Sequence, residues 1–478
     1  MIPALQIAIP AVLGIVLWGE RRLRVHLAAL IAVTALHAAG TVLLWAGAPD
    51  TRLAPLLEVD AAGLLFLSIT SILFLLTSLY TAPYLLQGTH DPQTSPHRFV
   101  PCLLWFLSSL TLVATTRNLA VLWVAVEATT LATAPLVYFY RRPGSLEAAW
   151  KYLLLCSVGI ALALLGTFFL GVAGSAVQPS PGLSLPSLLQ AAPALSRPWL
   201  QAAFILALTG YGTKMGLAPL HMWLPDAHSQ APSPISALLS GALLNGALLA
   251  LLRFHEVVVA SGNAAFAREL LLLLGLVSLV VACAVLVGQR DVKRLLAYSS
   301  IENMGIIVIG VAVGGGGVFG ALFHAMNHSL CKAGLFFCAG NVLRTFGTTA
   351  SREVSGMLRR QPGTGILLLL LLLAIGGMPP FGAFWSKLLI FRAAMEDPRV
   401  GVLFLALVTI AFLGMAGVIL PMLQGTPDPA RPRVAEPRLA VIAPLAATVF
   451  LLVLGVWLPA ALGTRLAEAA ATLGGVNR

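Results

Sequence analysis

The sequence has little charge and nothing with which to hold a cofactor. Only 10% of its 478 residues are Asp, Glu, Lys or Arg, where an average soluble domain carries about 25%. With 59% hydrophobic residues and a mean hydropathy of +0.93, no soluble core could hide the apolar surface, so a soluble enzyme is excluded. Cysteine is scarce. Cys102, Cys156, Cys283, Cys331 and Cys338 all lie in apolar runs, with no C-x-x-C pair or Cys/His cluster. That speaks against a disulfide-built secreted domain, an iron–sulfur cluster and a zinc site, and no metal is expected. Isolated glycine pairs make no dinucleotide fingerprint, so no cofactor is expected either. The net charge is +11, but the arginines fall between apolar runs rather than in one stripe, which argues against nucleic-acid binding. Met1–Leu17 has neither a basic leader nor a clear cleavage site and reads as a first span rather than a signal peptide.

What the sequence does have is apolar runs of about twenty residues, each long enough to cross a bilayer. They lie near 3–18, 25–47, 60–86, 98–116, 118–140, 147–174, 199–225, 229–258, 267–288, 294–314, 317–346, 363–395, 399–423 and 438–463. The expected fold is therefore all-α: a polytopic membrane protein of about fourteen transmembrane helices. Gly314–Gly317 reads as a tight turn, and the Pro-rich stretches Gln178–Pro198 and Thr426–Arg438 read as loops. Basic residues crowd the odd-numbered loops, among them Arg21, Arg22, Arg24, Arg141, Arg142, Arg290, Arg294, Arg352, Arg359 and Arg360. By the positive-inside rule these loops are cytoplasmic and both termini face outward, with the chain in the cell inner membrane. No arginine reads as central, and topology accounts for them.

Lysine behaves differently. Of five lysines, Lys214, Lys332 and Lys387 lie deep inside apolar runs, while Lys151 and Lys293 do not. A desolvated lysine can lose its proton and an arginine cannot, so a proton carrier calls for lysine. Each central charge costs roughly 2.5–3.5 kcal/mol on insertion scales. Glu127 is the one carboxylate at the centre of its run. Lys214 precedes Pro219, Pro225, Pro232 and Pro234, which cannot sit in an unbroken helix. Lys214–Pro234 is thus expected to be a discontinuous helix, of the kind that lines ion pathways. His221, Asp226, His228, Ser229 and Gln230 would face a hydrated cavity, or else a re-entrant loop sealed by Trp223. His324, His328 and Lys332 recur at i, i+4 and i+8, one helix face about 12 Å long. Histidine passes protons through its two ring nitrogens. Core hydrogen bonding and a metal pair are the other readings, and H-E-x-x-H is not present. Lys387 follows Gly376-Gly377-Met378-Pro379-Pro380-Phe381-Gly382, a second broken helix. Paired interrupted segments point to two inverted repeats. Glu302 and Asn303 are read at the mouth of the relay, and Asp291, Lys293 and Arg294 as a charged cytoplasmic cap.

These motifs resemble a known superfamily. KMGLAPLHMWLPDAHSQAPSPISALLSG (Lys214–Gly241), DVKRLLAYSSIENMG (Asp291–Gly305), FHAMNHSLCKAGLFFCAGNVL (Phe323–Leu343) and GGMPPFGAFWSK (Gly376–Lys387) are similar in order and spacing to the antiporter-like proton-translocating subunits. That superfamily includes membrane subunits of respiratory complex I, Mrp-type antiporters and membrane-bound hydrogenases. The wording looks most like hydrogenase-4 component F and its formate-hydrogenlyase relatives. The resemblance implies that Glu127 pairs with Lys214, that His324, His328 and Lys332 form a central hydrophilic axis, and that Lys387 ends it. One departure is noted: where relatives often carry Lys or His after the first break, this chain has Ser240 and Asn245. Water would then have to bridge Lys214 to His324.

The expected organisation is N-terminal helices over residues 1–97, an antiporter-like core over 98–425 (repeats about 98–260 and 265–425), and a C-terminal transmembrane helix within 426–478. The expected function is proton translocation in a membrane-bound oxidoreductase complex, related to NADH:quinone oxidoreductase membrane subunits, through Glu127, Lys214, His221, His228, His324, His328, Lys332 and Lys387. Asp226, Asn245, Lys293 and Glu302 are accessory. No catalytic centre is expected in the chain itself. Its partners would be the lipid bilayer, other membrane and peripheral subunits, and protons or Na+. Two alternatives remain: an Mrp-type Na+/H+ antiporter subunit and a non-conducting scaffold. A pure channel fits less well, since charged bottlenecks bind too tightly for fast flux.

Overall fold

The computed structural model describes residues 1–47, 56–87, 94, 96–427 and 436–474. In chain order its α-helices are α1 (Ile2–Trp18), α2 (Leu23–Trp45), α3 (Ala61–Gln87), α4 (Pro96–Thr115), α5 (Leu119–Val137), α6 (Pro143–Ala173), α7 (Leu185–Ala191), α8 (Arg197–Met215), α9 (Trp223–Gln230) and α10 (Ser233–Leu238). They continue with α11 (Leu244–Ala260), α12 (Ala264–Leu286), α13 (Val292–Val313), α14 (Gly316–Phe346), α15 (Met357–Arg360), α16 (Pro362–Gly376), α17 (Gly382–Ala394), α18 (Pro398–Leu423), α19 (Arg438–Val456) and α20 (Ala460–Gly474). Isolated β-bridges are the only extended pairings among the described residues. The chain is an all-α polytopic membrane protein, as expected. Among the described residues ten helical spans are long and apolar enough to cross a bilayer, and Ile2–Trp18 and Pro362–Gly376 are shorter apolar helices.

Two boundaries differ from the sequence reading. The Gln178–Pro198 stretch holds α7, seated by a bridge between Asn118 and Ser184. The final apolar run stops at Val456, and the separate helix α20 follows it. Burying Leu466, Ala469 and Leu473 on one face, α20 packs on α3, α11 and α14. Most of the expected Thr426–Arg438 loop, residues 428–435, lies outside the described residues.

Burial separates a ring from a centre. Only 33% of the spanning window is buried in α2 and in α19, against 100% in Ser233–Ala260 and 94% in α13. A helix apolar on its outer face meets lipid, and one enclosed all round forms the core of the bundle. Glu302 and Asn303 lie on enclosed α13 and His324, His328 and Lys332 on enclosed α14, while buried Thr130 and half-buried Glu127 lie on half-enclosed α5. Close approach of α6 and α8 depends on glycine. A Cβ on Gly210 of α8 would fall 2.4 Å from the Gly159 carbonyl of α6.

Two spans are broken where proline and glycine predicted. After α8, Gly216 takes φ +77° and the chain turns through Pro219 before α9 begins. After α16, Gly377 takes φ +82° and Met378–Phe381 leads into α17. Only glycine enters the left-handed region without a Cβ penalty. The segment α10–α11 carries a π-turn at Leu239–Leu243, the kind of local widening often found at functional sites.

Candidate functional site

The first break carries Lys214 in the last turn of α8, fully buried. The negative end of a half-helix dipole suits a cation there. Lys214 Nζ donates to the Thr130 hydroxyl of α5 and, at 3.5 Å, to Tyr152 Oη of α6. Thr130 Oγ1 in turn donates to Glu127 Oε2 at 3.2 Å, and Ser157 Oγ to Glu127 Oε1 at 3.2 Å. Glu127 and Lys214 are therefore joined through a hydroxyl. No direct ion pair within 4.0 Å links them among the described residues. Trp223 closes the break: its indole N–H donates to the Thr213 carbonyl at 2.8 Å, and its ring lies 4.9 Å from that of Tyr152.

The other residues of the break divide. His228 is buried between the rings of Phe336 and Trp223, with Nδ1 2.9 Å from the Leu224 carbonyl. His221 lies beside Tyr298, with centroids 6.1 Å apart. Asp226 pairs with Lys151 at 3.0 Å and with Arg294, so it clamps α9 to α6 and α13. Lys293, read from sequence as part of a surface cap, is 2% exposed and donates to the Ser229 (3.2 Å) and Ala231 carbonyls, capping the end of α9.

The second break carries Lys387 on α17. Its ammonium reaches back to the Ile375 carbonyl of α16 at 2.8 Å and lies 3.6 Å from Glu302 Oε1. Glu302 and Asn303, expected at the mouth of the relay, are fully buried on α13. Asn303 Nδ2 and Ser299 Oγ donate to Glu302 Oε2 at 3.2 and 3.3 Å. His324 Nε2 lies 2.9 Å from Asn303 Oδ1, and its Nδ1 2.9 Å from Ser386 Oγ. Glu302, Asn303, His324, Ser386 and Lys387 thus form one cluster.

Between the breaks lies a middle section. The Leu296 carbonyl of α13 accepts from Lys332 Nζ at 2.8 Å and from Ser300 Oγ at 3.0 Å. Ser300 Oγ meets Ser240 Oγ at 2.8 Å, inside the π-turn. Asn245 Nδ2 donates to Ser329 Oγ at 2.5 Å and to the Gly241 carbonyl at 2.7 Å. Both ring nitrogens of His328, Nε2 of His228, Oδ1 of Asn327 and Oδ1 of Asn245 are buried without a protein partner. Buried polar atoms are nearly always bonded, so this band is one that water would satisfy. Among the described residues no group of three metal-ligating side chains occurs.

Sequence reasoning missed two features. Arg253, inside the apolar run 229–258, is 2% exposed and grips Asp60 with both terminal nitrogens at 2.6 and 2.7 Å. Counting it with the topology arginines concealed this, although its place in the run was visible. Thr130 was overlooked because a threonine in an apolar helix carries no sequence signal. Its role depends on which side chains flank it.

Comparison with known proteins agrees with this geometry. Residues 116–417 match the family described as "NADH:quinone oxidoreductase/Mrp antiporter, TM". The chain is 38% identical to a hydrogenase-4 component F homolog of Methylacidiphilum infernorum, over 77% of this chain and 78% of that one. It is 32% identical to NADH-quinone oxidoreductase subunit 14 of Thermus thermophilus, over 80% and 82% respectively. A chain of Thermus thermophilus respiratory complex I superposes with TM-score 0.79 at 28% identity, covering 95% of this chain and 97% of that one. A chain of the Mrp complex from Dietzia sp. DQ12-45-1b shares the fold, with TM-score 0.87 at 19% identity over 99% and 97%. This chain belongs to the NADH:quinone oxidoreductase/Mrp antiporter transmembrane family, as an antiporter-like membrane subunit of the complex I, hydrogenase-4 and Mrp type.

Proposed function

We propose that the chain carries protons across the cell inner membrane as one subunit of a hydrogenase-4-like or complex I-like assembly. The observation that carries this reading is the Glu–Lys pair beside each broken helix, with buried polar groups between them. A carboxylate near an ammonium holds the proton on the lysine, and in a low-dielectric site that attraction is strong. Drawing Glu127 away from Thr130 and Lys214 frees the lysine proton. It passes through water at the unpartnered nitrogens of His328 toward Lys332, then by His324, which Asn303 orients, to Glu302 and Lys387. Ser240 and Asn245 contribute hydroxyl and amide contacts to this hydrated section rather than storing charge. His221 and His228 serve the loading side, where Asp226 and Lys293 hold the break in place. The two halves, about 98–260 and 265–425, are read as inverted repeats, with residues 1–97 flanking them and a transmembrane helix in 426–478. Both termini are placed on the outer side. The driving energy comes from partner subunits, since the sequence carries neither a dinucleotide fingerprint nor a cysteine cluster.

The test is Lys214→Met in the assembled complex in sealed vesicles, with a pH-sensitive dye recording proton uptake as the partner enzyme turns over. Normal assembly with reduced uptake supports the pathway. Unchanged uptake per turnover overturns it in favour of the scaffold. Uptake that requires Na+ on the opposite side would assign the chain to Na+/H+ exchange.

A further inference from the structure

The groove at the end of α12 lies apart from this pathway. It occupies about 620 Å³ between the end of α12, the short turn Ser351–Glu353 and the C-terminal half of α18. Arg290 and Arg352 line it together with Val287, Leu413, Gly417 and Pro421. The two arginines, 62 positions apart, come from loops that backbone hydrogen bonds pin together: Val292 N to the Thr349 carbonyl (2.9 Å) and Ser351 N to the Arg290 carbonyl (2.8 Å). Asp291, the carboxylate between them, is already committed to the Arg294 amide at 2.8 Å and to the Thr349 hydroxyl. No acidic side chain lines the groove. Among the described residues neither guanidinium has an ion-pair partner within 4.0 Å. Two exposed arginines from separate loops thus line one groove that holds no carboxylate.

Its depth names the occupant. The wall along α18 runs from Ile410 to Pro421, about 16 Å at 1.5 Å per residue. That is half of a hydrocarbon core of roughly 30 Å, or one leaflet. The arginines sit at the headgroup end, the end to which the Arg21/Arg22 and Arg141/Arg142 loops also belong by alternation of spans. At Gly417 a Cβ would meet no atom within 4 Å, so a channel stays open along the helix. Val287 and Leu413 are 64% and 61% exposed beside it. A partner's spanning helix would need contact along all of α18, and acids at the height of the arginines. A phospholipid needs one leaflet and brings its own negative charge.

We propose that this groove binds one anionic glycerophospholipid, its phosphate held by Arg290 and Arg352 and an acyl chain laid along α18 over Gly417. Basic pockets between helices at a charged membrane face suit such headgroups. The proposal is independent of the proton pathway. The test is native mass spectrometry of the purified full chain titrated with dioleoyl phosphatidylglycerol or dioleoyl phosphatidylcholine. The unsubstituted chain should prefer phosphatidylglycerol by roughly thirtyfold, the scale expected of two basic side chains at a headgroup. Arg290→Gln with Arg352→Gln should remove the preference, whereas Arg21→Gln with Arg22→Gln, on another loop, should leave it intact. Gly417→Phe, which fills open space, should weaken uptake of both lipids. An unchanged preference in the Arg290/Arg352 variant, or an equal loss in the Arg21/Arg22 variant, overturns the site. So does efficient cross-linking of Gly417→Cys to another protein subunit in native membranes, which would make the groove a subunit interface.

Discussion

The ammonium of Lys387 lies 3.6 Å from the carboxylate of Glu302, and the same nitrogen caps the Ile375 carbonyl where α16 ends. At the other broken helix the carboxylate and the amine are separated by the Thr130 hydroxyl. A direct pair and a hydroxyl-bridged pair respond differently to substitution.

Glu302→Gln removes the negative charge beside Lys387 but keeps the side-chain volume. Lysine can answer by releasing its proton, so assembly should survive. Proton uptake per turnover should fall about tenfold, the effect of ~1.4 kcal/mol in proton affinity. Uptake equal to that of the unsubstituted complex would show that Glu302 only supports the fold.

At Thr130, valine keeps the shape and deletes the bridge, while serine keeps the hydroxyl. A hydrogen bond is worth about 1 kcal/mol net, so Thr130→Val should lower uptake about fivefold and Thr130→Ser much less. Equal behaviour of the two variants would remove the hydroxyl from the mechanism.

The Asp60–Arg253 pair makes a stability prediction. Arg253 is buried, but Asp60 keeps 24% side-chain exposure and the guanidinium also lies 3.7 Å from Glu256, so removing the aspartate charge costs less than the about 3–5 kcal/mol of breaking a fully buried pair. Asp60→Asn should therefore lower the melting temperature of the purified chain, and Asp60→Leu combined with Arg253→Met, which also removes the cation beside the buried Glu256, should lower it further. Equal melting of all three forms would contradict the pairing.

Gly455 of α19 packs on the second break, where a Cβ would fall 1.8 Å from the Pro380 carbonyl. Gly455→Ala must push backbone away, at about 1–3 kcal/mol of overpacking. Lower thermal stability together with reduced uptake is expected. A variant with unchanged melting and uptake would show that the contact is dispensable.

Much of this protein was legible in one dimension. Apolar runs of the right length marked the helices, because every backbone polar group in lipid must be satisfied within its own segment. The prolines after Lys214 and before Lys387 marked the breaks, because proline has no N–H to donate. The lysines and His324, His328 and Lys332 stood out because charge and imidazole are costly in an apolar run and were retained. Less legible were residues whose meaning is relational. Lys293 looked like a loop charge until α9 was seen to end at its ammonium. Glu302 looked peripheral until α17 brought Lys387 to it.

The sequence by itself therefore determined the solvent, the spans, the two broken helices and the identity of the titratable groups, since these follow from transfer free energy and local backbone chemistry. Tertiary structure alone decided who pairs with whom: Thr130 between Glu127 and Lys214, Glu302 against Lys387, and Arg253 on Asp60; it also brought Arg290 and Arg352 to one groove. Hydrogen bonds and ion pairs act over about 3–4 Å, and contacts at that range between distant segments exist only once helix packing has set the register.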